Sequence, residues 1–201
     1  GTLGSVQRQI REFVAKQPRV ALDVTGDPMI GEPSAALQIV EFSDFLCPAC
    51  QRASKMNPIL LANHRRDAAF VFKHFPLDST CNDRVPRVVH PGACQLAAAS
   101  ECAHLQGKFW PFHDRIFEGA EPVVAPNLNA IVADLGLDSG RFQVCLSSGQ
   151  GMAAVKRDIA EAAKANVMST PTYVMNGIPV PGGFTPATFE DFVAVLKDTG
   201  R

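Results

Sequence analysis

The stretch that decides the fold is Ile39–Gln51, "IVEFSDFLCPACQ". It reads as an apolar strand that turns at once into a helix, with Pro48 and Ala49 between Cys47 and Cys50. A continuous apolar run is what a strand covered on both faces requires. Pro48 suits the first helical position, where the N–H it lacks would have no partner. Cys47 then stands at the helix start, where orphan N–H groups and the helix dipole favour an anion and lower a thiol pKa. Cys50, one turn on, is expected to be the more buried sulfur. The pair is therefore read as a redox switch, with Cys47 attacking and attacked and Cys50 resolving. A zinc site needs about four ligands. The chain has no second CxxC, and its histidines (His64, His74, His90, His104 and His113) hold no pair at ligand spacing, so no metal is expected. An inert disulfide or a pair of buried thiols would not need the strand-to-helix placement.

Around this stretch, "AAFVFKHFPL" reads as a second strong strand and "PACQRASKMNPILLANH" as a helix, with Pro58 predicting a kink. A short strand is expected over Val20–Val24, and the Gly- and Pro-rich "TGDPMIGEPSA" as loop. Residues from about Ser5 to Ala15 show helical spacing. After the second strand comes an Ala-rich helical block, broken near Gly107 and again at Gly136. "PTYVMNGIPVPGG" reads as a hairpin turning at Asn176–Gly177, and "TPATFEDFVAVLKDTG" as a closing amphipathic helix. The order predicts an α/β fold: one mixed sheet flanked by helices, interrupted by a helical insertion. Expected bounds are 1–18 for an N-terminal helical extension, 19–78 with 166–201 for the sheet domain, and 79–165 for the insertion.

The 201 residues suffice for one sizeable core. A net charge of −1 gives no electrostatic case for nucleic acid or a membrane surface. No apolar run reaches transmembrane length. "GTLGSVQRQI" lacks a basic start followed by an apolar core, so any signal or anchor is expected to lie outside this sequence. Six cysteines with one close CxxC point to an oxidising compartment.

Taken together, "EFSDFLCPACQ", "FKHFPLD", "QGKFWPFHDRIF", "STPTYVMNG" and the closing helix resemble the DsbA-like thiol:disulfide oxidoreductases of the thioredoxin superfamily. The resemblance spans roughly Gly26 to Leu196. It implies a thioredoxin fold with an inserted helical domain, no cofactor, and a cis Thr170–Pro171 peptide beside the cysteines. There Thr170 would pair with an incoming substrate strand, with Pro48 and Ala49 at the same surface. It also implies that Glu41, a carboxyl in an apolar strand, is a buried acid relaying a proton to Cys50. Lys73 is the candidate partner of Glu41, since a buried carboxylate is costly unless paired or protonated. Two departures stand out: "NVMSTP" replaces the family's Gly-Val-x-Gly run before Thr-Pro, which bears on substrate contacts. Pro-Ala replaces the Pro-His of the strongly oxidising type, which bears on redox potential.

The other four cysteines are expected to form structural disulfides. Cys94 and Cys102 fall eight residues apart on one predicted helix. That is about 12 Å, beyond the roughly 7 Å a disulfide spans. Two pairings remain: Cys81–Cys94 with Cys102–Cys145, or Cys81–Cys102 with Cys94–Cys145. The first is favoured because it closes the 81–94 loop on itself, and because similar proteins often pair cysteines at the positions of Cys102 and Cys145.

The expected activity is disulfide formation in unfolded or reduced secreted proteins. Reoxidation would come from a membrane quinone-linked partner of the DsbB or vitamin K epoxide reductase type, in a periplasmic or extracytoplasmic setting. The same site run in reverse would be an isomerase or reductase, which usually needs an oligomer; the N-terminal helix offers an interface or packs on its own domain. A reading of another class is a non-catalytic thioredoxin-like module holding peptides beside Pro171. A glutathione transferase-like reading fits the strand order and the CxxC less well.

Overall fold

The computed structural model describes residues 2–123 and 126–200. The expected bounds above take in residues 1, 124, 125 and 201, which lie outside the described residues. The elements run α1 (Thr2–Lys16), β1 (Met29–Gly31), β2 (Leu37–Ser43), α2 (Pro48–Leu61) and β3 (Ala68–His74). Then come α3 (Ala93–His104), α4 (Phe109–Phe117), α5 (Leu128–Asp134), α6 (Ser139–Ser147) and α7 (Gln150–Lys164). The chain closes with β4 (Thr172–Met175), β5 (Ile178–Pro181) and α8 (Pro186–Asp198).

The five strands form one mixed sheet in the order β1-β3-β2-β4-β5. β2 and β3 are parallel, and the other neighbours are antiparallel. In register across β2, β3 and β4, Glu41 lies beside Phe72 and Tyr173. Because strand side chains alternate, Ile39, Glu41, Phe70, Phe72, Tyr173 and Met175 share one face. Ile39, Phe70, Tyr173 and Met175 pack there with Leu60 of α2 and with Phe189 and Phe192 of α8. The opposite face carries Val40, Phe42, Val71 and Val174, packed against Ala162 of α7. Both faces of β2 and β3 are thus covered, which explains their unbroken apolar sequence. The β4–β5 hairpin turns on Asn176 (φ 48°) and Gly177 (φ 85°), the paired positive φ angles of a type I′ turn.

The first strand corrects the sequence reading. Residues 20–24 form no strand; there the Val20 N–H donates to Gly177 O at 2.8 Å. The strand is Met29–Gly31, inside the stretch read as loop, and it pairs with Val71, Phe70 and Ala69. Three residues with a flanking proline carry too little pattern to be legible, and the open edge of β3 selects them.

α1 lies on α8 of its own chain. Phe13 meets Phe192 edge-on with ring centroids 6.3 Å apart, Val14 is buried, and Arg11 pairs with Asp198 at 2.9 Å. Helices α3 to α7 all fall between β3 and β4. Cys81 is joined to Cys94 at the start of α3, and Cys102 of α3 to Cys145 of α6. Gly151 lets α7 approach α3 closely: a Cβ there would lie 2.4 Å from Ala98 O and 2.9 Å from Cys102 Sγ.

Candidate active site

Cys47 caps α2 with extended backbone (φ −82°, ψ 120°), and Pro48 opens the helix. Its carbonyl accepts from Gln51 N–H at 3.0 Å, the first bond of the helix. Both Cys47 and Cys50 are free thiols; Cys50 is wholly buried and Cys47 keeps 6% exposure, so Cys47 is the sulfur within reach of another molecule. The Cys47 pKa falls to about 6. Its hydrogen bond with Cys50 is the main cause, aided by Thr170 and the Cys50 backbone, against burial and the Asp44 charge. Cys50 moves the opposite way, chiefly through burial and then through the hydrogen bond and charge of Cys47. Its Sγ accepts from Asp44 N–H at 3.4 Å. One low and one high thiol pKa side by side would suit an attacking and a resolving sulfur.

Thr170–Pro171 is cis, and the Thr170 carbonyl lies 3.7 Å from Cys47 Sγ. Pro48 and Ala49 are half-buried beside it, while Met168, two residues before Thr170, is 58% exposed.

Glu41 is buried between α2 and β4. Its Oε2 accepts from Asn57 Nδ2 at 3.3 Å and from Tyr173 OH at 3.2 Å, and the same hydroxyl lies 2.6 Å from Asn57 Oδ1. Burial lifts the Glu41 pKa to about 7, against the pull of Asn57 and Tyr173. A carboxyl poised there can hold a proton at neutral pH and give it up nearby. Neither Asn57 nor Tyr173 was anticipated. The signal for Tyr173 was present: it is the chain's one tyrosine, in an apolar strand just after Pro171.

Lys73 is not the partner of Glu41. In register it sits beside Phe42, one position along from the Glu41–Phe72 pair, so alternation puts it on the opposite face. There its ammonium meets Asp27 Oδ2 at 2.6 Å and Asp158 Oδ1 at 3.4 Å, and donates to Asp23 O at 2.7 Å. Burial works against the charged lysine, but Asp158 and Asp27 outweigh it and its pKa is raised. The neighbouring His74 Nε2 faces Glu101 Oε1 at 3.1 Å and Ser100 Oγ at 3.0 Å, while its N–H donates to Asp158 Oδ2 at 2.9 Å. This buried polar network joins β3 to α3 and α7.

Asp44, in the turn between β2 and α2, has a fully buried carboxylate. Oδ1 accepts from Leu46 N–H at 2.7 Å; Oδ2 accepts from Leu77 N–H at 2.9 Å and from His90 Nδ1 at 2.7 Å. Sequence reasoning left both Asp44 and His90 aside, because 46 residues separate them.

A thioredoxin family profile matches residues 23–198. Among solved structures, the chain is similar to a thioredoxin-like oxidoreductase from Silicibacter pomeroyi DSS-3 (TM-score 0.72, 24% identity, 87% of this chain and 94% of that one). It is similar to oxidised BdbD from Bacillus subtilis (TM-score 0.70, 19% identity, 90% and 97%). A third similar structure is DsbA2 from Pseudomonas aeruginosa (TM-score 0.66, 22% identity, 84% and 92%). Among curated proteins it is 32% identical over 194 residues to a Na(+)/H(+) antiporter NhaA of Herminiimonas arsenicoxydans, covering 94% of this chain. The chain spans only 29% of that relative, so the likeness is to a segment of a longer protein. Among the described residues no helix is long and apolar enough to cross a membrane. With its match over nearly the whole sequence and its DsbA-like fold, the chain belongs to the thioredoxin family.

Proposed function

We propose that this chain is a thiol:disulfide oxidoreductase that forms disulfides in reduced extracytoplasmic proteins through Cys47 and Cys50. In the oxidised enzyme, a substrate thiolate attacks Cys47 Sγ and the Cys47–Cys50 bond breaks. Cys50 leaves and takes the proton held by Glu41. A second substrate thiolate then attacks the substrate sulfur of the mixed disulfide, and Cys47 departs as the stabilised thiolate. Two electrons pass from substrate to enzyme, and a quinone-linked membrane protein of the DsbB or vitamin K epoxide reductase type would remove them. Thr170 and Pro171, with Pro48, Ala49 and Met168 at the rim, form the surface on which an extended peptide would lie.

The observation that carries this reading is the split between the two sulfurs: Cys47 low near 6 at a helix start, and Cys50 high and buried. A stable leaving thiolate makes a disulfide oxidising. The two disulfides away from the site favour an extracytoplasmic setting. Cys47→Ser is expected to abolish oxidation of a reduced protein substrate; oxidation at the parent's rate would refute the redox reading in favour of a peptide-holding module. Equilibration with glutathione fixes the direction. A potential near about −120 mV marks an oxidase, and one near about −270 mV a reductase.

A further inference from the structure

The dipeptide between the two cysteines carries no ionisable side chain, yet the turn that precedes Cys47 carries a buried acid. Asp44 is wrapped around the reacting sulfurs by its own backbone. Its carbonyl accepts from Cys47 N–H at 3.1 Å, and its N–H points to Cys50 Sγ. A negative charge so placed opposes a thiolate on Cys47. A carboxylate this buried also requires compensation. The side chain placed to supply it is His90, whose Nδ1 lies 2.7 Å from Oδ2 and which is partly open to solvent.

His90 is brought there by the loop that the Cys81–Cys94 disulfide closes. Its N–H donates to Leu77 O at 2.9 Å, and its carbonyl accepts from Ala93 N–H at 3.1 Å. Gly92 passes close to Leu46, with 3.8 Å between its Cβ position and Leu46 Cδ1. The loop is thus seated on the residues just before Cys47. Among the described residues, ionisable groups that bear on Cys47 include Cys50, Asp44 and Glu41, with His90 behind Asp44; those that bear on His90 include Asp44 and Cys47.

We infer that His90 is a positioning residue for thiol–disulfide exchange: its imidazolium, held on the Asp44 carboxylate, cancels the acid in the Cys47 turn and so sets how readily Cys47 leaves as a thiolate. The inference rests on the exchange reading of the Cys47–Cys50 pair. The cation that other sites could place between the cysteines is here delivered from a distant loop. Hydrogen bonding to Asp44 raises the His90 pKa, with the Asp44 and Cys47 charges adding to it against burial.

The test is to titrate the Cys47 thiolate by its ultraviolet absorption in reduced parent, His90→Gln, His90→Lys and His90→Gln/Asp44→Asn proteins, and to equilibrate each with glutathione. His90→Gln is expected to raise the Cys47 pKa by about one unit, which at pH 7 shifts the glutathione equilibrium about fivefold towards the protein disulfide. His90→Lys, which keeps the charge, and the double variant, which removes the acid, are both expected to return it to the parent value. A His90→Gln protein that folds and titrates like the parent overturns the inference.

Charge coupling is reciprocal, which supplies a second measurement should His90→Gln fail to fold. The His90 resonances are expected to titrate at lower pH in Cys47→Ser than in the reduced parent, and identical titrations overturn the inference. Both titrations are read without turnover. Failure of the exchange reading is seen separately, as a parent whose Cys47–Cys50 pair does not equilibrate with glutathione.

Discussion

At the scale of single residues, Glu41 shows how burial shifts an ordinary carboxyl. Its folded pKa of about 7 lies above the usual 4.5. The protonated form is therefore the one the fold favours. The stability this contributes is complete below pH 4.5 and is lost as the pH rises through 7, an amount of about 3 kcal/mol. Glu41→Gln is expected to remove that part of the pH dependence, read by urea unfolding of parent and variant between pH 4 and 8 (about the span of the two pKa values). The variant also has no proton to give Cys50. Substrate oxidation is expected to slow about a hundredfold near pH 6 and to lose the parent's decline above pH 7. Equal rates at both pH values would remove Glu41 from the reaction. That Glu41 is a buried acid was implied by the family resemblance; that Asn57 and Tyr173 hold it was not, because the two arrive from α2 and β4.

At the scale of elements, the helices α3 and α7 show what periodicity reveals and what it omits. Both were legible as helices from their Ala-rich patterns. Their mutual approach is decided by one position, Gly151, where a Cβ would strike Ala98 O and Cys102 Sγ. Backbone on one side and a disulfide sulfur on the other leave little freedom to give way. Gly151→Ala is expected to cost about 1–3 kcal/mol despite the higher helix propensity of alanine, measured as a lower urea midpoint. A stabilised variant would mean that α3 and α7 separate without penalty. The short β1 is the converse case: its sequence carries almost no pattern, and it exists because β3 presents an unpaired edge.

At the scale of the whole molecule, the sheet keeps two polar systems on opposite faces. One is the buried Glu41 carboxyl with Asn57 and Tyr173. The other is the Lys73, His74, Asp27, Asp158 and Glu101 network that ties the helical block to β3. Lys73→Met would leave Asp27 and Asp158 without their cation, at a cost of about 3–5 kcal/mol. Because Lys73 faces away from Glu41, the Cys47 titration is expected to stay at the parent value in the folded variant; a changed titration would place Lys73 back at the reaction. The sequence by itself determined the close cysteine pair, its place at a strand-to-helix junction, the element order from β2 onward and the hairpin, because each rests on local spacing, backbone chemistry or a run of apolar residues. Only the tertiary structure decided which charges meet. The parity of the β2–β3 register sends Lys73 away from Glu41, and the closure of the 81–94 loop brings His90 onto Asp44; neither a register nor a loop closure is written in any one stretch of chain.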